Sequence, residues 1–200
     1  MSKFITFEGV DGAGKSTHLA WFAEALRQRD IEVVLTREPG GTALGEQLRE
    51  ILLNQDMTIG TEALLMFASR LEHIERVIKP SLSAGKWVIS DRFSDASFAY
   101  QGGGRGYDWD KLNQLEQWVH ADLQPDLTLF FDIPVEVARQ RLSSNASLDR
   151  FEQEQGQFFE RVRVGYHKRI QNNPNQYRII DAVKSIDEIK IKLEEIISSI

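Results

Sequence analysis

The chain has 200 residues, of which 42% are hydrophobic and 27% are charged, as in an ordinary globular domain. This length suits one domain, so we expect residues 1–200 to form a single unit. A net charge of −6 without a basic tract argues against general nucleic-acid binding, and no apolar run approaches the roughly 20 residues of a membrane span. The sequence has no cysteine, which excludes disulfides and cysteine-based metal sites and is compatible with the cytoplasmic location that we expect.

Strand patterns alternate with helical patterns along the chain. Strands are predicted at 3–8, 31–36, 86–91, 127–132 and 177–181. Helices are predicted at about 15–29, 43–54, 61–83, 108–121, 135–143, 150–171 and 185–198. Strands that are separated by helices pair in parallel, because each connection crosses one face of the sheet. The sequence therefore predicts an α/β fold, a three-layer α/β/α sandwich around a five-stranded parallel sheet.

A glycine-rich stretch directly follows the first predicted strand. Gly9, Gly14, Lys15 and Ser16 match the pattern G-x-x-x-x-G-K-S/T; the alternative is a flexible turn with an unrelated lysine. Glycines let the backbone curl around an anion, and the helix that begins near Lys15 adds the positive end of its dipole. In such a loop the lysine reaches the β- and γ-phosphates of a nucleotide and the serine hydroxyl binds Mg²⁺. The predicted ATP-binding loop comprises Gly9, Val10, Asp11, Gly12, Ala13, Gly14, Lys15, Ser16 and Thr17.

The third predicted strand ends in an aspartate that is followed by an arginine. Asp91 closes the stretch VISD, where a carboxylate can hold Mg²⁺ through water, and Arg92 comes next. Without the loop, Asp91 would be read as a turn residue and Arg92 as a solvated charge. The sequence lacks the Asn-Lys-x-Asp tetrad of guanine-selective GTPases, which weighs against that class.

Several further segments occur in an order that composition does not explain. They are EGVDGAGKST (8–17), TREPGGT (36–42), FASR (67–70), DRFSDASFAYQGGGR (91–105) and LDRFE (148–152). Together they closely resemble bacterial thymidylate kinases over nearly the whole chain. The resemblance implies a P-loop NTPase fold of the nucleoside monophosphate kinase type and transfer of the γ-phosphate of ATP to dTMP. It also implies Mg²⁺, a homodimer and a place in dTTP biosynthesis.

The resemblance assigns roles to individual side chains. Phe67 is expected to stack on thymine and Arg70 to bond its O4 edge, while Gln101, both donor and acceptor, meets the N3–C4 edge. From the residues alone, a core position for Phe67 and a surface position for Arg49 stay open. The other expected dTMP contacts are Asp11, Arg37, Glu38, Arg49, Arg92, Ser97 and Tyr100.

One segment departs from the family pattern. Relatives carry an extra catalytic arginine in the phosphate loop or in a mobile lid, but here the loop position is Gly12, and the lid expected at about 141–150 has few arginines. Arg141 and Arg150 are the best remaining donors to the transferring phosphate. The expected catalytic set is Lys15, Asp91, Arg92, Arg141 and Arg150.

Two alternatives stay open. A deoxynucleoside kinase shares the fold and the Asp-Arg strand end, but it would need a general base in place of the extra arginines. A non-catalytic nucleotide-binding regulator would fit the arginine-poor lid, whereas Lys15, Asp91 and Arg92 oppose it.

Overall fold

Five parallel strands form one sheet in the computed structural model, which describes residues 2–120, 122–142, 150–151, 154 and 156–200. The strands are Phe4–Glu8 (β1), Val33–Arg37 (β2), Trp87–Asp91 (β3), Leu127–Asp132 (β4) and Tyr177–Asp181 (β5). Their spatial order is β2-β3-β1-β4-β5, and every pairing is parallel. The predicted α/β fold with a five-stranded parallel sheet is confirmed.

Helices connect the strands. They are Lys15–Arg27 (α1), Ala43–Asn54 (α2), Ile59–His73 (α3), Lys79–Ser83 (α4), Ser94–Ser97 (α5), Trp109–His120 (α6), Val135–Leu142 (α7), Gly156–Asn172 (α8) and Ile186–Ser198 (α9). Wide π-helical turns at Ile74–Ile78 and Phe98–Gly104 continue α3 and α5, and a short 3-10 turn spans Pro174–Gln176. No helix in these described ranges has the length and apolar character needed to cross a membrane.

Alternate side chains of the central strands enter two separate cores. Ile5 packs in a cluster with Phe22 of α1, whereas Phe4 and Val88 pack in a second cluster with Phe67 of α3. Successive side chains of a strand point to opposite faces, so a strand that is covered on both faces needs buried residues throughout. All five residues of β1 are buried, and the sheet is therefore the middle one of three layers.

Two helices begin or continue differently from their predicted bounds. The helix expected from residue 150 begins at Gly156, because Arg150 and Phe151 lie in a turn. Tertiary contacts hold this turn, since the Phe151 side chain is buried and its ring packs edge-on to Tyr100. The helix expected over 61–83 contains the π turn, which comes just before Pro80, a residue with no N–H to donate to the helix ladder.

The segment 94–104 is helical although the sequence predicts no helix there. Its three consecutive glycines lie against other elements: a Cβ on Gly103 would be 2.6 Å from the Arg161 carbonyl oxygen, and one on Gly104 would be 2.5 Å from the Phe158 ring. Because these glycines have no Cβ, α8 can approach the backbone of this turn closely.

Strand register brings the two motifs to one edge of the sheet. Phe7 of β1 pairs with Asp91 of β3, so the loop after Glu8 and the segment after Asp91 leave the sheet side by side. The carboxyl ends of parallel strands are where such sheets bind ligands.

Substitution of Gly9 tests the backbone geometry at this edge of the sheet. Its φ is +140°, and an added Cβ would be 2.6 Å from the Phe131 carbonyl oxygen, whereas Gly85 has φ +82° with nothing within 4 Å. We expect Gly9→Ala to lower the free energy of unfolding by about 3 kcal/mol or more, from strain and overlap together. Gly85→Ala, with strain alone, should cost about 1–2 kcal/mol. Urea unfolding of both variants measures the difference, and equal losses would contradict the geometry.

Candidate active site

A cavity lies beside the carboxyl ends of β1 and β3. It encloses about 600 Å³, counting the space that is open to solvent, which is a typical size for a small-molecule site. Eight of the residues predicted to contact dTMP line it: Asp11, Glu38, Arg49, Arg70, Arg92, Ser97, Tyr100 and Gln101. The structure therefore brings most of the predicted substrate residues together.

The glycine-rich loop forms one border of this region and leads into α1. Gly14, at φ +81°, precedes the helix, and Ser16 is exposed on its first turn. Lys15 is buried, and its Nζ donates to the carbonyl oxygens of Gly9 (2.9 Å) and Val10 (3.1 Å). Burial and the nearby charge of Arg92 lower the pKa of Lys15. The two hydrogen bonds hold the ammonium group against the backbone of the loop.

Asp11, Arg92 and Tyr100 join the loop to the cavity. Arg92 Nη2 donates to Asp11 Oδ1, Tyr100 Oη donates to Asp11 Oδ2 at 3.0 Å, and the guanidinium lies 4.7 Å from the Tyr100 ring centroid. Burial opposes the charge on Asp11, but Arg92 and Lys15 outweigh it and lower the pKa of Asp11 to about 2. The Asp11 carboxylate is thus charged at neutral pH and holds the Arg92 side chain in the cavity wall.

Arg70 is the most deeply buried cation of the cavity wall, with 2% of its surface exposed. Its Nε donates to Glu38 Oε2 at 2.7 Å, and its Nη2 donates to the Phe93 carbonyl oxygen at 3.0 Å and to Ser97 Oγ at 3.1 Å. Its Nη1 is buried and makes no hydrogen bond to any described residue. The guanidinium therefore has one donor nitrogen without a hydrogen-bond partner in the described part of the chain.

His73 is a buried histidine that the sequence analysis did not select. It bonds Glu38, the same carboxylate that accepts from Arg70. His73 Nδ1 lies 2.9 Å from Glu38 Oε1, and its Nε2 lies 2.6 Å from Thr36 Oγ1. A carboxylate only accepts hydrogen bonds, so Nδ1 carries the proton. Burial raises the pKa of Glu38, but Arg70 and His73 outweigh it and lower that pKa overall. The Glu38 carboxylate is expected to contact dTMP, and both its oxygens already have hydrogen-bond partners in the protein.

Gln101 is held in a comparable way. Its Nε2 donates to Glu62 Oε1 at 2.8 Å, while its Oε1 is buried with no partner among the residues that the structure describes. Glu62 is 1% exposed and also accepts from Arg105 and Arg150. Two residues that line the cavity therefore carry a buried polar atom with no partner among the described residues, a donor on Arg70 and an acceptor on Gln101.

The chain matches the family model described as thymidylate kinase over residues 7–193. It is 61% identical to the thymidylate kinase of Cupriavidus metallidurans, over 99% of this chain and 98% of that protein. It is 58% identical to the Nitrosomonas europaea thymidylate kinase, over 98% and 92%. The crystal structure of thymidylate kinase from Ehrlichia chaffeensis superposes with a TM-score of 0.80 at 38% identity, covering 99% of this chain and 97% of that chain.

The chain belongs to the thymidylate kinase family.

Within this thymidylate kinase, the position of Phe67 corrects its expected stacking role. Phe67 is 1% exposed, packs in the core with Phe4 and Phe93, and is not part of the cavity lining. Met66, the preceding residue, lines the cavity instead. Met66 and Arg70 are four residues apart, so they lie on nearly the same face of α3, whereas Phe67, three residues from Arg70, points further away from that face. The four-residue spacing could have indicated Met66 from the sequence.

Three further arginines, Arg37, Arg141 and Arg150, are expected to contact substrate phosphates, and none of them lines this cavity. Arg37 is half exposed, bonds Glu46 at 2.8 Å and does not line the cavity. Arg150 donates to Glu62 and to the Leu52 carbonyl oxygen and does not line this cavity. Its expected contact with the transferring phosphate stays a prediction. Arg141 is exposed at the end of α7, and residues 143–149 of the expected lid lie outside the described residues.

Glu8, at the end of β1, is a fully buried acid that sequence reasoning also missed. Its Oε1 accepts from the Phe93 N–H at 2.6 Å and its Oε2 from the Tyr166 hydroxyl at 2.9 Å. Burial and the nearby Asp95 raise the pKa of Glu8 to about 8, against the opposing charge of Arg92.

This pKa predicts a pH dependence of stability. Because the folded pKa lies above the unfolded value, the folded protein holds a proton that the unfolded chain has lost, so stability falls as pH rises from about 4.5 towards about 8. We expect Glu8→Gln to lose this part of the slope, since an amide preserves a donor and an acceptor without titrating. Urea unfolding of both proteins between about pH 5 and pH 9 gives the slopes. Parallel pH profiles would contradict the buried protonated acid.

Proposed function

We propose that the protein transfers the γ-phosphate of ATP to dTMP, giving ADP and dTDP. One observation supports this choice of acceptor base: Arg70 and Gln101 both line the cavity, and Arg70 Nη1, a donor, and Gln101 Oε1, an acceptor, are buried and unpaired among the described residues. Thymine offers an O4 acceptor beside its N3–H donor, the complement of this pair. Cytosine offers the reverse, an N4 donor beside an N3 acceptor, and would leave four polar groups unpaired.

The acceptor phosphate is assigned to the cationic side of the same cavity. Arg49 and Arg92 both line it, and Arg49 Nη1 bonds the Pro39 carbonyl oxygen at 3.0 Å. Guanidinium groups bind phosphate through two parallel donors, which orients the phosphate as well as neutralising it. Arg37 is retained as an outer phosphate contact only if its side chain leaves Glu46.

The donor phosphates are assigned to residues 9–17. Main-chain N–H groups at the start of α1 and the Lys15 ammonium supply the positive field there. Mg²⁺ with ATP fits the residues present: Ser16 is exposed on the first turn, and Asp91 Oδ1 is buried with no partner in the described ranges. Such a cation would be held by Ser16 and, through water, by Asp91, and it would offset the negative charge of the nucleotide phosphates.

The reaction proposed is direct in-line transfer. A dTMP phosphate oxygen is already anionic near neutral pH, so no general base is required. Lys15 and Arg92 neutralise charge as the phosphoryl group passes between the two phosphates, and positioning supplies the rest of the acceleration. Arg141 and Arg150 are retained as candidate donors in the lid about 141–150, but Arg150 would first have to exchange Glu62 and Leu52 for phosphate.

Three further points are proposals of the same kind. Leu64 and Leu71 of α3, exposed by 55% and 40%, are available to a homodimer interface. A cytoplasmic location and a role in dTTP biosynthesis follow from the activity.

A coupled assay with thymidine and dTMP separates the alternative functions, because a deoxynucleoside kinase would use thymidine and a regulator would produce no ADP in response to either.

Lys15→Ala tests the donor site. We expect kcat to fall by about 100-fold or more, because one charged contact to the transferring phosphate is lost, with the thermal midpoint changed little. Lys192→Ala, which removes an exposed lysine of α9, is the matched control. A turnover within about threefold of wild type would contradict the assignment.

Arg70→Ala tests the acceptor site. We expect kcat/KM for dTMP to fall by about 100-fold or more, while KM for ATP changes by less than about threefold. Arg70→Lys is the companion variant, because it keeps a cation beside buried Glu38 and so limits the loss of stability. A changed KM for ATP with an unchanged kcat/KM for dTMP would contradict the assignment of Arg70 to the acceptor site.

A further inference from the structure

We propose that Glu62 determines the base selectivity of the enzyme by holding the side-chain amide of Gln101 in one orientation. The consequence is acceptance of a 4-keto pyrimidine monophosphate and rejection of a 4-amino one. The inference rests on the proposed function, since it concerns the base end of the same cavity. Glu62 is a positioning residue here, because it acts through Gln101.

Glu62 accepts hydrogen bonds from three side chains at once. Its Oε1 accepts from Gln101 Nε2 at 2.8 Å and from Arg105 Nε at 3.0 Å, and its Oε2 accepts from Arg150 Nη2. The carboxylate is 1% exposed, and the two guanidinium groups compensate its buried charge. A carboxylate that is surrounded by N–H donors in this way acts only as an acceptor.

This arrangement removes the rotational ambiguity of an amide. A glutamine side chain can turn by half a rotation and exchange its donor and acceptor ends at little cost when neither end is held. At Gln101 such a turn would place Oε1 against Glu62 Oε1, two acceptors at hydrogen-bond distance with no proton between them. The donor end of Gln101 therefore stays on Glu62, and its acceptor end is turned away from Glu62, whichever base enters.

The selectivity argument follows from the base edges. Thymine N3–H meets Gln101 Oε1 as donor to acceptor, whereas cytosine N3 meets it as acceptor to acceptor. Discrimination is strong where a buried polar group of the site would be left unpaired by the wrong substrate. If the Gln101 amide could turn, cytosine N3 would find a donor, and only the mismatch at Arg70 would remain.

Glu62→Gln is the direct test. A glutamine at this position presents either a carbonyl or an NH₂ group to Gln101, so the amide is free to turn. We expect the ratio of kcat/KM for dTMP over dCMP to fall by about tenfold or more. Glu154→Gln is the matched control, because Glu154 bonds Arg105 at 2.7 Å but makes no hydrogen bond to Gln101. Its ratio should stay within about twofold of wild type.

A second comparison separates positioning from a general structural role. In a Gln101→Ala background, Glu62→Gln should leave the ratio unchanged, because the residue that it positions is gone. An unchanged ratio in the single variant, or the same change with Gln101 removed, would overturn the inference. Absence of dTMP phosphorylation by the wild-type enzyme would instead contradict the proposed function.

The wild-type protein gives a further readout if Glu62→Gln does not fold. The side-chain NH₂ signals of Gln101 are assigned by NMR from their loss in Gln101→Ala. We expect these protons to exchange with water much more slowly than those of exposed Gln157. Exchange as fast as that of Gln157 would mean that Glu62 does not hold the amide, and the inference would fail.

Discussion

Two buried carboxylates orient the side chains of Arg70 and Gln101, which line the cavity. Glu38 holds Arg70 through Nε, and Glu62 holds Gln101 through Nε2. Burying a charge is costly unless it is paired, and both carboxylates are paired with guanidinium groups. Within the described ranges, Arg70 Nη1 and Gln101 Oε1 have no hydrogen-bond partner, and the pairing of their side chains with Glu38 and Glu62 holds both in place before any ligand arrives. Preorganised groups of this kind lose little entropy when a ligand binds, so the protein scaffold supplies part of the binding free energy.

The two substrate regions are joined by the same sort of contact. Asp11 belongs to the phosphate loop, yet its carboxylate bonds Arg92 and Tyr100 of the cavity wall. Arg92 has φ +71°, an uncommon backbone conformation for a residue with a side chain, which it adopts directly after Asp91 at the end of β3. The pairing of β1 with β3 makes this junction possible, and in the proposed reaction it would set the donor and acceptor phosphates next to one another.

Local patterns in the sequence were sufficient for the fold and for the phosphate loop. The loop is one continuous segment whose glycine positions are dictated by backbone geometry, and the parallel sheet follows from alternating elements. Helix phase was harder to predict: Met66, not Phe67, shares the cavity with Arg70. The family resemblance supplied Gln101, whose chemistry a single sequence does not reveal.

The buried acids could not be predicted, because their partners are remote in the chain. Glu8 bonds Tyr166 across 158 positions, and Glu62 bonds Arg150 across 88. Neither pairing leaves a periodic or local trace, and a lone glutamate in a helical pattern is most simply interpreted as solvent-exposed. The same remoteness explains why the sequence did not predict the contacts of Arg150 with Glu62 and Leu52.

A crystal structure with dTMP and a non-hydrolysable ATP analogue tests the account most directly. The account predicts thymine N3 within about 3.2 Å of Gln101 Oε1 and thymine O4 within about 3.2 Å of Arg70 Nη1. It also predicts that the dTMP phosphate lies against Arg92 and faces the nucleotide phosphates in the Gly9–Thr17 loop. A base whose N3–O4 edge points away from Gln101 and Arg70, or two phosphates on opposite sides of Asp11, would contradict it.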